Sequence, residues 1–215
     1  MAITLNGNGV LTGVTTIPDG IVTNDDLAGS IAISKLATTG SASSSTFLDG
    51  SGAWASAGGG VVKQCVYASK LDEFVGTNTS WTDVTGMTVT TGAIASTSSR
   101  VLVTCALYIY DYTANSFLKI TDGSGGDITG FIGAVAGASQ IRASSGSIYQ
   151  DHPNVGRHVS LQLMDTTAST SARTYKLQFI AASGGTVRMN RTSTDTNSNS
   201  YGRSVSSIMA TEIGA

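Results

Sequence analysis

His152 and His158 stand six residues apart, with Asp151 beside the first and Asp165 beyond the second. Imidazole and carboxylate are ligands for zinc and related metals. A strand would need its ligands two residues apart to bring them to one face, and that spacing is missing. Both histidines therefore read as polar loop residues, and no metal is assigned. Asp72 with Glu73, and Asp151 with Asp165, are the carboxylate pairs available for hydrolysing a glycosidic bond, chemistry that needs two carboxyls about 5–9 Å apart across a sugar. Acidic residues are few, at 14 with glutamate and aspartate together. No nucleophile elbow, P-loop or dinucleotide fingerprint occurs in a strand-to-helix context. The Gly-rich run Gly123–Gly130 lacks a Lys-Ser/Thr ending and reads as a hairpin. No catalytic residue and no cofactor is assigned, and the expectation is that the chain is not an enzyme. Cys65 and Cys105 both lie in apolar strand-like runs and read as small buried hydrophobes, with a disulfide between neighbouring strands left open.

Binding chemistry is better represented. One polar stretch, residues 144–157, carries Tyr149, His152 and Asn154. A second, residues 190–203, carries Arg191, Asn197, Asn199 and Tyr201. An aromatic ring packs on the apolar face of a sugar, while amides and guanidinium groups meet its hydroxyls. These seven residues are candidate receptor contacts, against the plainer reading of solvated loops or contacts between subunits.

Such loops need a rigid scaffold. From Val61 onward, apolar and polar residues alternate with the period of a strand. Residues 100–110 show it most clearly. One face carries Val101, Val103, Cys105, Leu107 and Ile109, and the other Leu102, Thr104, Ala106, Tyr108 and Tyr110. The same alternation recurs at Val159, Leu161 and Leu163, at Tyr175, Leu177 and Phe179, at Val187 and Met189, and at Met209, Thr211 and Ile213. Asp122-Gly123, Gly125-Gly126 and Gly184-Gly185 punctuate the runs as turns. No amphipathic helix is found after Val61. Eight to ten strands predict an all-β antiparallel sandwich, a jelly roll, over 61–215.

Upstream the texture differs. Residues 41–60 are mostly Ser, Ala and Gly and end in Gly58-Gly59-Gly60, which reads as a linker with a few anchors. Residues 1–40 form an extended arm. There a short echo spaced nine residues apart, from Leu27 to Leu36, leaves Val22, Leu27, Ile31 and Leu36 in need of apolar partners from elsewhere, since so short a segment buries nothing by itself.

Composition bounds the partners. Only 12% of residues are charged and the net charge is -2. There is no Lys/Arg cluster, so the footprint of a nucleic-acid binder is missing. No apolar run approaches a membrane span, and the first residues carry neither the basic segment nor the apolar core of a secretion signal. Folding in a cytoplasm is expected.

The run Gly20-Ile-Val-Thr-Asn-Asp-Asp-Leu-Ala-Gly-Ser-Ile-Ala-Ile-Ser-Lys-Leu-Ala37 resembles the register repeats of bacteriophage tail fibres. The following Thr39-Gly-Ser-Ala-Ser-Ser-Ser-Thr-Phe-Leu-Asp-Gly-Ser-Gly-Ala-Trp54 resembles a fibre linker, although Asp49 replaces its usual Arg and Ser51 its frequent Asp. Trp81 to Thr90, Ser98 to Thr104, Thr174 to Gln178, Gly185 to Arg191 and Met209 to Ile213 are similar to heads of marine and cyanobacterial phage fibres, and through them to trimeric jelly rolls of the tumour-necrosis-factor and complement-C1q type. The resemblance implies a virion protein, assembled in a host cytoplasm. It implies a homotrimer, an arm docked on tail, adaptor or capsid proteins, and a head that adheres to a host-surface glycan. Leu102, Tyr108 and Tyr110, which share the second face of residues 100–110, are candidates for the trimer core, against the reading that the opposing sheet of the same subunit covers that face. A capsid cement or head fibre is the alternative, and a polysaccharide-degrading enzyme a remote one.

Overall fold

The computed structural model describes residues 41, 43, 46–49, 51–56, 61–111, 115–134, 137, 139–150, 152, 154–199 and 201–214. The arm residues Val22, Leu27, Ile31 and Leu36, Asp151 and the three glycines of the predicted boundary lie outside these. The chain divides into two compact units, one ending at Ala57 and one beginning at Gly58.

In the first unit, β1 (Thr46–Leu48) and β2 (Trp54–Ser56) form an antiparallel hairpin with Leu48 opposite Trp54. In the sequence this stretch reads only as a linker. The difference comes from Asp49. Its carboxylate accepts from the Ser51 N–H at 2.9 Å, the Ser51 hydroxyl at 2.6 Å and the Ala53 N–H at 3.0 Å, the local bonding that makes Asp a turn former. The Ser51 hydroxyl, and then the backbone donors, hold its carboxyl below the usual range.

The second unit contains β3 (Val62–Lys70), β4 (Phe74–Gly76), β5 (Thr82–Thr90), β6 (Arg100–Tyr110), β7 (Ser116–Asp122), β8 (Arg157–Asp165), β9 (Thr174–Ala181), β10 (Val187–Met189) and β11 (Ser206–Ile213). The described residues contain no helix. One sheet runs β3–β11–β6–β8, and short β10 and β4 continue it beside the last residues of β6. The other runs β5–β9–β7. All pairings are antiparallel. A further piece of chain borders the second sheet along β7: Ile148 and Ser116 exchange two backbone bonds, and the Ser144 and Ser145 hydroxyls take the Ile120 and Leu118 N–H groups. This covers the free edge of β7, which would otherwise expose a row of unpaired donors. Four strands facing three plus this piece, with the chain repeatedly crossing between sheets, is a jelly-roll order. The stretch 144–148, predicted as loop, is therefore part of the scaffold. Gly184-Gly185 also differs from expectation: it joins β9 of one sheet to β10 of the other and closes no hairpin.

The inner faces meet through Val101, Val103, Cys105, Leu107 and Ile109 on β6, Leu177 and Phe179 on β9, and Leu118 and Ile120 on β7. Each such burial is worth about 1.5–3 kcal/mol. Gly76 is small because a Cβ there would collide with the Phe179 ring. On β11 the buried set is Ser206, Ile208, Ala210 and Glu212, so Met209, Thr211 and Ile213 lie on the outer face. Glu212 is buried at the strand's end because its carboxylate takes the Gln64 amide at 2.6 Å and the Ala95 N–H at 2.7 Å.

The registers sort the head into two ends. Val62, Arg100, Asp165 and Ile213 gather at one. Lys70, Tyr110, Arg157 and Ser206 gather at the other. The preceding chain joins the head at the first end. At about 3.3 Å per residue, the nine residues of β3 separate the two by roughly 30 Å.

Candidate functional site

Both candidate receptor stretches lie at the far end, and one buried side chain organises much of it. Asn190 follows β10 with a positive φ of 64°, a conformation Asn tolerates better than most residues. Its amide donates to the Lys70 carbonyl at 2.7 Å and the Asp72 carbonyl at 2.9 Å, and its carbonyl oxygen accepts from the Ser206 hydroxyl at 2.6 Å. Its backbone N–H donates to the Tyr108 carbonyl and its carbonyl accepts from Ser204 N–H. The β3–β4 turn, the end of β6 and the start of β11 are thus tied to one residue.

The 190–203 stretch then folds around an ion cluster. Arg191 Nη1 lies 2.6 Å from Glu73 Oε2 and 3.7 Å from Asp195 Oδ2. Arg203 Nε donates to Asp195 Oδ1 at 3.0 Å, its Nη2 pairs with Asp195 Oδ2, and Glu73 lies 3.8 Å away. Two guanidinium groups meet two carboxylates. Arg191 is thereby engaged in holding the loop. Asn197 and Tyr201 line a hollow of 360 Å³ with Asp195 and Arg203, and Asn199 is exposed.

Tyr108 joins this stretch to the other. Its hydroxyl accepts the Gly156 N–H at 3.1 Å, and its ring lies 5.2 Å from the His158 ring. Gly156 has no room for a Cβ, which would collide with the Tyr108 ring. Nearby, Tyr149 is 47% exposed. His152 is exposed, with Nδ1 accepting the Asn154 N–H at 3.2 Å, and Asn154 is half-buried. Of the residues predicted for a trimer core, Leu102 and Tyr108 are half-buried on the outer face of β6. Tyr110 is 0% exposed, with Arg188 over its ring at 5.7 Å. Its surface is already used within the subunit.

Of the carboxylates considered for hydrolysis, the three among the described residues are separately occupied. Asp72 pairs with Lys70 at 2.9 Å and Glu73 with Arg191. Asp165 lies at the near end, where Tyr175 donates to it at 2.7 Å, Thr167 at 2.6 Å, and Arg173 Nη1 lies 3.1 Å away. Burial alone would raise Asp165, but Thr167, Tyr175 and Arg173 outweigh it, and its carboxyl sits below the ordinary range. A general acid needs the opposite shift. The described residues contain no cluster of three or more His, Cys, Asp or Glu able to hold a metal.

Two hollows escaped the sequence reading because their walls come from distant segments. One of 520 Å³ at the near end is lined by Asp122, Asp127, Asp165, Arg173 and Tyr175 among others. The other, of 650 Å³, opens beside β7 at the far end, between Asn115, Phe117, Gln140, Arg142 and Ser183. No protein-family model and no curated protein matches the chain.

Proposed function

We propose that the chain is a short bacteriophage fibre whose jelly-roll head adheres to the host surface with the end opposite Val62, where β3 begins. The observation that carries this reading is the polarity of the head. The preceding chain joins at Val61-Val62, beside Ile213 and Arg100. Tyr149, His152, Asn197, Asn199 and Tyr201 lie at the other end, roughly 30 Å away by strand length. An adhesin tethered at one end works best when its variable, polar, aromatic-bearing loops sit at the other. The resemblance of residues 20–54 to fibre repeats and linkers supports the same reading.

In this proposal three copies associate through the outer face of β3–β11–β6–β8. Two cross-strand rows there, Tyr67–Met209–Thr104–Gln162 and Cys65–Thr211–Leu102–Met164, contain no charged residue. Tyr67 is 73% exposed and Met164 41% in the single chain. An uncharged, aromatic- and Met-bearing surface is the kind that protein contacts cover. The same broad face favours the second reading, a cement protein lying on a capsid shell.

The deciding experiment adds fluorescent full-length protein to a panel of bacterial strains and to emptied capsids. Saturable adsorption to cells, reduced by Tyr149→Ser with Asn197→Ser, supports the fibre. Adsorption to capsids at many copies, with raised heat resistance and no cell binding, replaces it with the cement. Sedimentation equilibrium should return three copies, and Tyr67→Glu should return one.

A further inference from the structure

The hollows formed by the described residues differ in charge. At the near end, Asp122, Asp127 and Asp165 face Arg173. In the hollow of residues 195–203, Asp195 is paired with Arg203. The 650 Å³ hollow beside β7 has Arg142 and no acidic residue among its described lining residues. Its size lies within the range of small-ligand sites, about 300–1,000 Å³.

We propose that this hollow binds a carboxylate-bearing saccharide, such as a uronic acid unit of a surface polysaccharide. The proposal rests on the adhesion reading for its biological setting and on the side chains for its chemistry. Arg142 Nε donates to the Gly133 carbonyl at 2.9 Å, which fixes the guanidinium plane. Among the described residues neither terminal nitrogen has a hydrogen-bond partner, so their paired N–H groups are available to a carboxylate. Phe117 is half-buried on the side of β7 away from the core and offers a ring to the C–H face of a pyranose. The Gln140 side-chain amide is likewise unengaged among the described residues, and it can donate to or accept from sugar hydroxyls. The Asn115 carbonyl oxygen is held by the Ser147 hydroxyl at 2.8 Å, leaving its amide nitrogen to donate. Ser144 and Ser145, bonded to β7, hold the segment carrying Arg142 against Phe117.

The test titrates the full-length protein by calorimetry with oligomers of galacturonate, glucuronate and sialate, and with neutral galactose oligomers. At least one acidic oligomer should bind roughly ten-fold or more tightly than the neutral ones. Arg142→Gln should remove that preference, Phe117→Leu should weaken binding, and Lys176→Gln, at a cation on β9 that pairs with Asp83 outside the hollow, should leave it unchanged. Equal binding of acidic and neutral oligomers, no binding by any acidic one, or loss through Lys176 instead of Arg142 overturns the proposal. Cell adsorption separates it from the reading beneath it. If Arg142→Gln adsorbs to cells like the parent, adhesion stands without this hollow. If the parent binds an acidic oligomer through Arg142 yet adsorbs to no strain, the hollow stands and adhesion falls.

Discussion

The amide of Asn190 donates to the carbonyl of Lys70 at 2.7 Å, joining two residues 120 positions apart. The bond closes the far end of the head, because Lys70 ends β3 and Asn190 opens the stretch that carries Arg191, Asn197 and Tyr201. With Asp72 and Ser206 as further partners, the side chain of Asn190 has all its polar atoms engaged in a buried place.

Asn190→Ala leaves two carbonyls and a hydroxyl short of partners and places a Cβ residue without a compensating side chain at positive φ. The expected cost is about 3 kcal/mol of unfolding free energy. Asn190→Gly keeps the first loss but relieves the second, and should be about 1 kcal/mol milder. Urea unfolding of both variants checks this; equal losses would mean that the backbone conformation contributes nothing.

Tyr108→Phe removes only the acceptor of the Gly156 N–H. A loss of about 1 kcal/mol is expected, with faster amide exchange at Gly156 and its neighbours and little change along β6. Exchange that stays slow at Gly156 would show that the hydroxyl does not hold the stretch.

Asp165 and Glu212 set the acid limit. Burial raises both, but hydrogen-bond donors and Arg173 outweigh it, and both carboxyls sit below their ordinary values. The folded protein therefore takes up these protons less readily than the unfolded chain. The stability they contribute is complete above the unfolded-chain values of about 4 and is lost as pH falls through the folded ones. The urea midpoint should hold steady from about pH 7 to 5 and fall below about pH 4. Asp165→Asn should be less stable at neutral pH and show a shallower acid decline. A midpoint that instead drops between pH 5 and 7 would contradict this assignment.

Cys65 and Cys105 are both free, one exposed on the outer face of its sheet and the other buried on the inner face. Burial pushes the Cys105 thiol up to about 12. A thiol reagent at mildly alkaline pH should modify Cys65 in the folded protein and Cys105 only after unfolding. If copies pack through the outer face, Cys65 should react more slowly as concentration rises, and Tyr67→Glu should restore the fast rate. A Cys65 rate independent of concentration, in protein that sediments as three copies, would place their contact elsewhere.

The period-two alternation of residues 101–109 determined β6 and the membership of its two faces, because a pleated strand exposes alternate residues to opposite sides whatever surrounds it. The same reasoning located β8, β9, β10 and β11, and with them an all-β antiparallel sandwich. It did not determine which half of an alternating run is buried. On β11 the inner residues include Glu212, an unfavourable choice until Gln64 and Ala95, more than 110 positions away, provide its partners. The polar stretches 144–157 and 190–203 were legible as exposed-type sequence, yet tertiary bonding decided their parts. Ser144 and Ser145 serve the edge of β7, Arg191 is taken up by Glu73 and Asp195, and Tyr108 holds Gly156. Arg142 and Phe117 gave no signal in the sequence. A single Arg and a single Phe 25 positions apart become one wall of a hollow only after the chain turns at Asp122 and returns along β7. Periodicity is a local property of the backbone and survives in the sequence. The meeting of side chains across sheets depends on register and crossover, which only the folded chain specifies.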